Sequence, residues 1–260
     1  MQGSDSSEPA IGWQGIDAAA REIDVSLSED QIRRLERYRD LLLDWNQRFN
    51  LTAVTEPDEV DRRLVLDAVR MLPAFNAHVA KGASVVDIGS GGGLPAVPLA
   101  ILRPDVSFTL IEATGKKTTF LRAAASELGL ERFSVIHGRA EECGHDLRYR
   151  GTFDAATARA VASLPALVEL LMPLVKVGGV ALLPKGLELT GELAAGEIAA
   201  EMLKAAIISS DVMPGGEARL VVVRKIGPSP KSYPRRAGIP AREPLGGSAL
   251  QQRSSSGASA

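Results

Sequence analysis

The chain predicts an α/β domain: a mostly parallel, seven-stranded sheet covered on both faces by helices and preceded by a helical layer. Three observations carry that expectation. From Ser84 onward, short apolar runs alternate with helical patterns. One run ends in an acid and a loop holding four glycines, and the last two runs are separated only by a Pro-Gly-Gly turn. Strand–helix alternation gives parallel neighbours with helices on both faces. A short turn between two strands pairs them antiparallel.

The elements follow in chain order. Residues 1–27 carry little pattern and are expected to be partly disordered, the first ten above all. Ser28 with Gln31 three residues later reads as a capping box. Ile32, Leu35, Tyr38, Leu41, Leu42, Trp45 and Phe49 then share one helical face. A second helix is expected from Thr55, with Pro57 and acids in its first turn. Its apolar face is Val60, Leu64, Val65, Val69 and Leu72, and Pro73 is expected to end it. Together these helices make a layer over residues 28–80. Strands are expected at 84–88, 106–112, 133–138, 153–158, 179–184, 205–212 and 218–226, with helices at 95–102, 115–128, 163–174 and 188–203. They define a domain over 81–226. Residues 227–245 form a basic, Pro-rich segment expected to pack on it, and the Ser-, Ala- and Gln-rich tail 246–260 is expected to be disordered.

Composition narrows the function classes. No apolar run approaches the roughly 18 residues that a membrane span needs, and the polar, acidic start MQGSDSSEPA lacks the regions of a signal peptide. The single cysteine, Cys143, excludes an intrachain disulfide and suits the reducing cytoplasm. His78, His137 and His145 form no close-spaced ligand set with it, so no metal is expected. A net charge of −2 does not advertise a nucleic-acid binder. Between Arg224 and Arg242, however, Arg224, Lys225, Lys231, Arg235, Arg236 and Arg242 occur without an acid, as a phosphate-contacting strip would. Arg33, Arg34, Arg37 and Arg39 are interleaved with Glu29, Asp30, Glu36 and Asp40 and read as a solvated helix face.

The glycine loop is the most informative stretch. Ser84-Val85-Val86-Asp87-Ile88 runs into Gly89-Ser90-Gly91-Gly92-Gly93-Leu94-Pro95. Glycines after a strand let the backbone approach a nucleotide-like ligand. A dinucleotide fingerprint requires glycine at the position of Leu94, so a nicotinamide cofactor fits poorly. Glu112 ends the next apolar run about twenty residues on, where a carboxylate can accept from both hydroxyls of a ribose. The order G-x-G-x-G, with Asp87 before it and Glu112 after it, resembles the class I S-adenosylmethionine (SAM)-dependent methyltransferases, whose fold is Rossmann-like.

Two absences bear on the substrate. There is no Asn/Asp-Pro-Pro-aromatic motif of the kind that holds an exocyclic amine, and Cys143 lacks the Pro-Cys context of covalent attack on a pyrimidine ring. Seven further motifs occur in order: Asn50-Leu51-Thr52-Ala53, Gly93-Leu94-Pro95, Gly115-Lys116-Lys117 with Phe120-Leu121, Gly138-Arg139-Ala140-Glu141, Ala158-Arg159-Ala160-Val161-Ala162, Pro184-Lys185-Gly186 and Tyr233-Pro234-Arg235-Arg236-Ala237-Gly238-Ile239-Pro240. Over residues 28–245 the series resembles the bacterial ribosomal RNA small subunit methyltransferase G (glucose-inhibited division protein B) family.

The resemblance implies methyl transfer from SAM to ring nitrogen 7 of one guanine in 16S rRNA; nothing in the sequence suggests an obligate dimer, so a monomer is expected. Carried over by position, Gly89, Gly91, Gly93 and Leu94 line the cofactor, and Glu112, Ala113 and Thr114 hold its ribose. Ala140 and Glu141 flank the adenine. Arg159 faces the methionine moiety and the target base as the catalytic residue. Asn50, Thr52, Lys185, Arg235 and Arg236 are RNA contacts. Each has a plainer reading. Ala140 can be a helix start with Glu141 favoured by the helix dipole; Arg159 can be a surface ion pair; Asn50 can cap the first helix; Lys116 and Lys117 open a helix, where cations are mildly unfavourable.

One departure stands out. Most members read Arg-His-aliphatic-Leu-Asp-Ser in the second helix, but this chain reads Arg63-Leu64-Val65-Leu66-Asp67-Ala68. Ring nitrogen 7 carries an in-plane lone pair and no proton, so its methylation needs no general base, and activity is expected to survive the loss of histidine. Two alternatives stay open: a paralogous SAM-dependent methyltransferase with another substrate, and a non-catalytic RNA-binding or ribosome-assembly factor that keeps the fold.

Overall fold

The apolar run at Ser84 forms the central strand of the molecule, β1 (Ser84–Ile88), buried on both faces from Val85 onward. The computed structural model describes residues 15–216 and 218–247, so the expectations for the first ten residues and for the tail beyond residue 247 lie outside the described residues. Around β1 lie β2 (Ser107–Glu112), β3 (Phe133–His137), β4 (Phe153–Thr157), β5 (Val175–Lys185), β6 (Ala205–Val212) and β7 (Arg219–Lys225). Their order is β3-β2-β1-β4-β5-β7-β6. Strands β1 to β5 pair in parallel, with Val86 opposite Thr109 on one side and Ala156 on the other. Strand β7 runs antiparallel to both β5 and β6. Reversal of strand order between β1 and β4 opens a crevice at their carboxyl ends, where open α/β sheets bind ligands.

The sheet separates two apolar cores, and β1 supplies both: Val85 faces one, Val86 and Ile88 the other, as the period of two requires. The first core is covered by α2 (Glu29–Asn46), α4 (Leu66–His78), α5 (Ala96–Leu102) and α6 (Gly115–Glu127). The second is covered by α8 (Leu164–Leu171) and α9 (Thr190–Met202). Helix α2 begins with the expected capping box, Ser28 and Gln31 bonding each other's backbone reciprocally.

Several elements differ from the sequence expectation. A six-residue helix α1 (Ile16–Arg21) buries Ile16 and Ala20 inside the stretch read as patternless; two apolar contacts are too few to register as periodicity. The second helix is three pieces: α3 (Pro57–Val60), a π-turn over Asp61–Val65, and α4. Pro73 does not end α4, which continues to His78. A proline in a helix interior costs about 3 kcal/mol. Here the exposed Pro73 is outweighed by Phe75, fully buried and stacked on Phe108 at 6.1 Å between ring centroids. Burial of that size contributes about 3 kcal/mol before neighbouring contacts are counted. Short helix α7 (Ala140–His145) begins at Ala140, as the plainer reading of Ala140 and Glu141 had it, while α10 (Ile239–Arg242) was not anticipated.

Candidate functional site

At the carboxyl ends of β1 and β2 a cleft of about 210 Å³ opens, lined by Gly89, Glu112, Ala113, Ala140 and Glu141 among others. These five come from the sequence-derived candidates. The sequence reading missed Val161 and Ala162 after β4, Leu170 on α8, and Gly238 and Ala241 from the C-terminal segment. Tyr233 to Pro240 carried a signal for this last contribution, but nothing local to it said which surface it would meet.

The glycine loop is held from three directions. Gly89 N–H donates to the Ile111 carbonyl at 2.8 Å, tying β1 to β2. Glu112, buried at the end of β2, accepts from Gly91 N–H at 2.9 Å through one oxygen and from Thr114 N–H at 2.8 Å through the other. Each carboxylate oxygen has a second lone pair, so this use leaves capacity for a diol. From the N-terminal layer, the Tyr38 hydroxyl donates to the Gly92 carbonyl at 2.6 Å. Full burial pushes that hydroxyl's pKa well above the phenol range, so it remains a donor. Gly93 has φ +89, and a Cβ there would lie 2.5 Å from a Val97 methyl. Leu94 packs against the first core beside the loop rather than facing the cleft. Gly91 and Thr114 thus hold the Glu112 carboxylate that lines the cleft, and Gly93 turns the loop above it.

Beneath the loop, Asp87 is fully buried; its Oδ1 accepts from the Thr157 hydroxyl at 2.7 Å, while Oδ2 has no hydrogen-bond partner among the described residues. Burial raises its carboxyl to about pH 7, against the opposing pull of the Ser90 and Thr157 hydroxyls and with help from the Glu112 charge. Glu112 gives the cleft an acidic floor. Ile111, Ala140 and Leu170 give it apolar walls. SAM carries a sulfonium, an ammonium, a ribose diol and a flat apolar base, and this donor set fits each of them.

The opposite wall is built from distant chain. Glu141 accepts from Gly238 N–H at 2.9 Å, so its carboxylate anchors the C-terminal segment at the cleft rim. Arg235 grips the fully buried Glu169 through Nε and Nη2 and also donates to the Glu243 carbonyl at 2.7 Å. Arg150 donates to the carbonyls of Gly144, Ser229, Pro230 and Tyr233. The basic strip therefore divides. Arg235 is a structural anchor, and Lys225 is buried, donating to the Met172 and Val175 carbonyls. Its burial, helped by the Arg150 charge, lowers its pKa to about 8. Lys231, Arg236 and Arg242 are exposed. The acid-free run in sequence is not acid-free in space, because Glu169 and Glu243 supply partners.

Arg159 follows β4 and does not line the cleft. Its guanidinium donates to the Arg63 carbonyl at 2.7 Å and the Leu64 carbonyl at 3.3 Å, and pairs with Asp67 at 3.0 Å. The next residues return to the cleft: Ala160 adopts φ +54, and Val161 covers Gly89, its methyl 2.7 Å from where a Cβ would stand. Lys185 holds the far end of this loop, donating to the Ala162 carbonyl at 3.3 Å and pairing with Glu192 at 2.6 Å; Glu192 also accepts from Leu164 N–H. Lys185 is thus a loop clamp as it stands. Asn50 is exposed and Thr52 half-buried, with the Thr52 hydroxyl accepting from Val54 N–H. Helix α2 ends four residues before Asn50, and Asn46 does the local capping, accepting from Leu51 and Thr52 N–H. Lys116 sits over the Phe49 ring at 5.5 Å. Leu64 and Ala68, at the departures from the family pattern, are both buried in the first core. Arg39, read as part of a solvated face, instead reaches buried Asp61 at 2.7 Å.

Comparison with known proteins gives a consistent picture. Residues 31–221 match the family described as rRNA small subunit methyltransferase G. The chain is 43% identical over 224 residues to the ribosomal RNA small subunit methyltransferase G of Chloroflexus aggregans, covering 85% of this chain and 93% of that protein. It is 38% identical over 231 residues to the protein of the same description from Lactococcus lactis subsp. lactis, covering 88% and 97%. Among solved structures, MtNAS in complex with MTA and tNA aligns with a TM-score of 0.52 at 15% identity, over 72% of this chain and 71% of that one, a likeness of fold alone.

Proposed function

Because the chain belongs to the rRNA small subunit methyltransferase G family, we propose that it methylates ring nitrogen 7 of a guanine in 16S rRNA, using SAM. The observation that carries the proposal is one cleft in which the exposed Gly89 backbone, the Glu112 carboxylate and an apolar slot meet at the sheet's switch point. When bound, SAM supplies an electrophilic methyl carbon on a sulfonium. Glu112 holds the ribose diol, Ile111 and Ala140 flank the adenine, and the Glu112 charge favours a cationic ligand. The target nitrogen has a lone pair and no proton, so the chain's residues orient and desolvate rather than move a proton. That is consistent with Leu64 in place of histidine.

The guanine must leave its stack to reach such a cleft. Exposed Lys231, Arg236 and Arg242 meet RNA phosphate, and Asn50 and Thr52 border the entry beside the glycine loop. Lys185 and Arg235 contribute by shaping the loop and the C-terminal segment that RNA meets. No helix among the described residues is long and apolar enough to cross a membrane, and we place the protein in the cytoplasm as a monomer.

Incubation of the protein with labelled SAM and small-subunit RNA lacking the modification tests the reading. The expected product is 7-methylguanosine by mass spectrometry, reduced at least tenfold by Arg159→Ala. Methyl transfer to another base, or none despite SAM binding, overturns it.

A further inference from the structure

We infer that Asp67 is a positioning residue for the reaction, acting through Arg159 and assisted by the π-turn that precedes it. The inference rests on the methyl-transfer reading above. Its physical basis begins in the backbone. Over Asp61–Val65 the ladder shifts register, and Leu66 N–H bonds to the Asp61 carbonyl five residues back. Such bulges are frequent at functional sites. Here the carbonyls of Arg63 and Leu64 turn to the Arg159 guanidinium, at 2.7 and 3.3 Å.

Asp67 lies one turn beyond and completes the cradle. Its Oδ2 takes Arg159 Nη2 at 3.0 Å, while its Oδ1 takes Arg70 Nη1 at 3.2 Å, which fixes the carboxylate plane. Both partners of the first pair are mostly shielded, the side chains being 20% and 17% exposed. Three acceptors thus hold one planar cation, a geometry that suits arginine and that lysine cannot reproduce. Fixing Arg159 also fixes the residues after it, Ala160 in its left-handed conformation and Val161 over Gly89. The cradle therefore sets the position of the loop that roofs the cofactor cleft. A simple interlayer strut would stabilise the fold without regard to that loop.

A double-mutant cycle separates the two. Asp67→Asn, nearly isosteric, is expected to lower kcat for methyl transfer ten- to hundredfold, with SAM affinity within threefold of wild type. In an Arg159→Gln background the same substitution is expected to change kcat by less than twofold, because the contact through which Asp67 reaches the cleft loop is gone. An equal loss in both backgrounds, or a wild-type kcat in Asp67→Asn, overturns the proposal. A second arm needs no variant: in the wild-type protein, nitrogen-15 NMR should resolve distinct, slowly rotating Nη signals for Arg159. A freely rotating guanidinium overturns the proposal. If wild-type protein transfers no methyl group, the reading of the reaction falls instead, while the NMR arm still decides whether the cradle exists.

Discussion

The two walls of the cleft are made by opposite strategies. On the β1–β2 side, Gly89, Gly91 and Glu112 lie within one strand-turn-strand neighbourhood, and apart from the Tyr38 bond to Gly92 the bonds that shape the wall join adjacent strands or their loops. On the far side, Glu141 meets Gly238 across 97 residues and Arg235 meets Glu169 across 66. The near wall is local chemistry on a rigid sheet; the far wall is a long segment fastened by ion pairs and carbonyl contacts. Perturbing the first should cost ligand affinity directly, while perturbing the second should cost stability first and affinity as a consequence.

The largest effect should come from the near wall. Gly93→Ala places a Cβ 2.5 Å from Val97 at a backbone angle of φ +89. We expect a loss of about 3 kcal/mol from clash and strain together and SAM binding weakened at least a hundredfold, read by urea unfolding and calorimetry. Binding within threefold of wild type would show that the loop tolerates remodelling. On the far wall, Arg235→Met strands the buried Glu169. Such losses run to about 3–5 kcal/mol for fully buried pairs. The Arg235 side chain is 28% exposed, so about 2 kcal/mol is expected after allowing for solvent, with a roughly tenfold fall in SAM affinity. Unchanged stability would break the contrast between the walls.

A smaller effect should appear in pH dependence. Asp87 is raised from 3.8 to about 7 in the folded protein, so the native state keeps a proton that the unfolded chain releases above about pH 4. Its contribution to stability is therefore full in acid and is lost as pH rises through 7. Asp87→Asn should flatten that decline in unfolding curves measured from pH 5 to 8; an unaltered slope would mean the carboxyl is ionised. Arg236→Ala should weaken RNA binding a few-fold and reduce the salt slope by about one, with SAM affinity unchanged. Least of all, Leu64→His should alter kcat by less than tenfold. A larger rise would show that this enzyme needs the histidine it lacks.

The contrast also explains what the sequence could tell. The strands and the glycine-loop wall were legible because their determinants are short range: alternating apolar runs, glycines in the loop, and an acid at the next strand's end. The roles of Arg235 and Lys225 were not, since a basic run gives no hint that Glu169 or the Met172 carbonyl will fold against it. Pro73 was misread for the same reason. Its local penalty is visible, but the stacking of Phe75 on Phe108 that outweighs it is a tertiary fact. Arg159 could be flagged by its motif, whereas its partners depend on a π-turn that no composition signal announces.

The Tyr38 hydroxyl on the Gly92 carbonyl has a consequence for modularity. The N-terminal helices and the sheet look like separable parts on a linear map, yet the ligand-holding loop is pinned by a bond from one to the other. A sheet domain transplanted without its first eighty residues would carry every glycine of the loop and still lack the fastener that sets its height. Shuffling this half onto another recognition module would therefore require a substitute donor at that carbonyl.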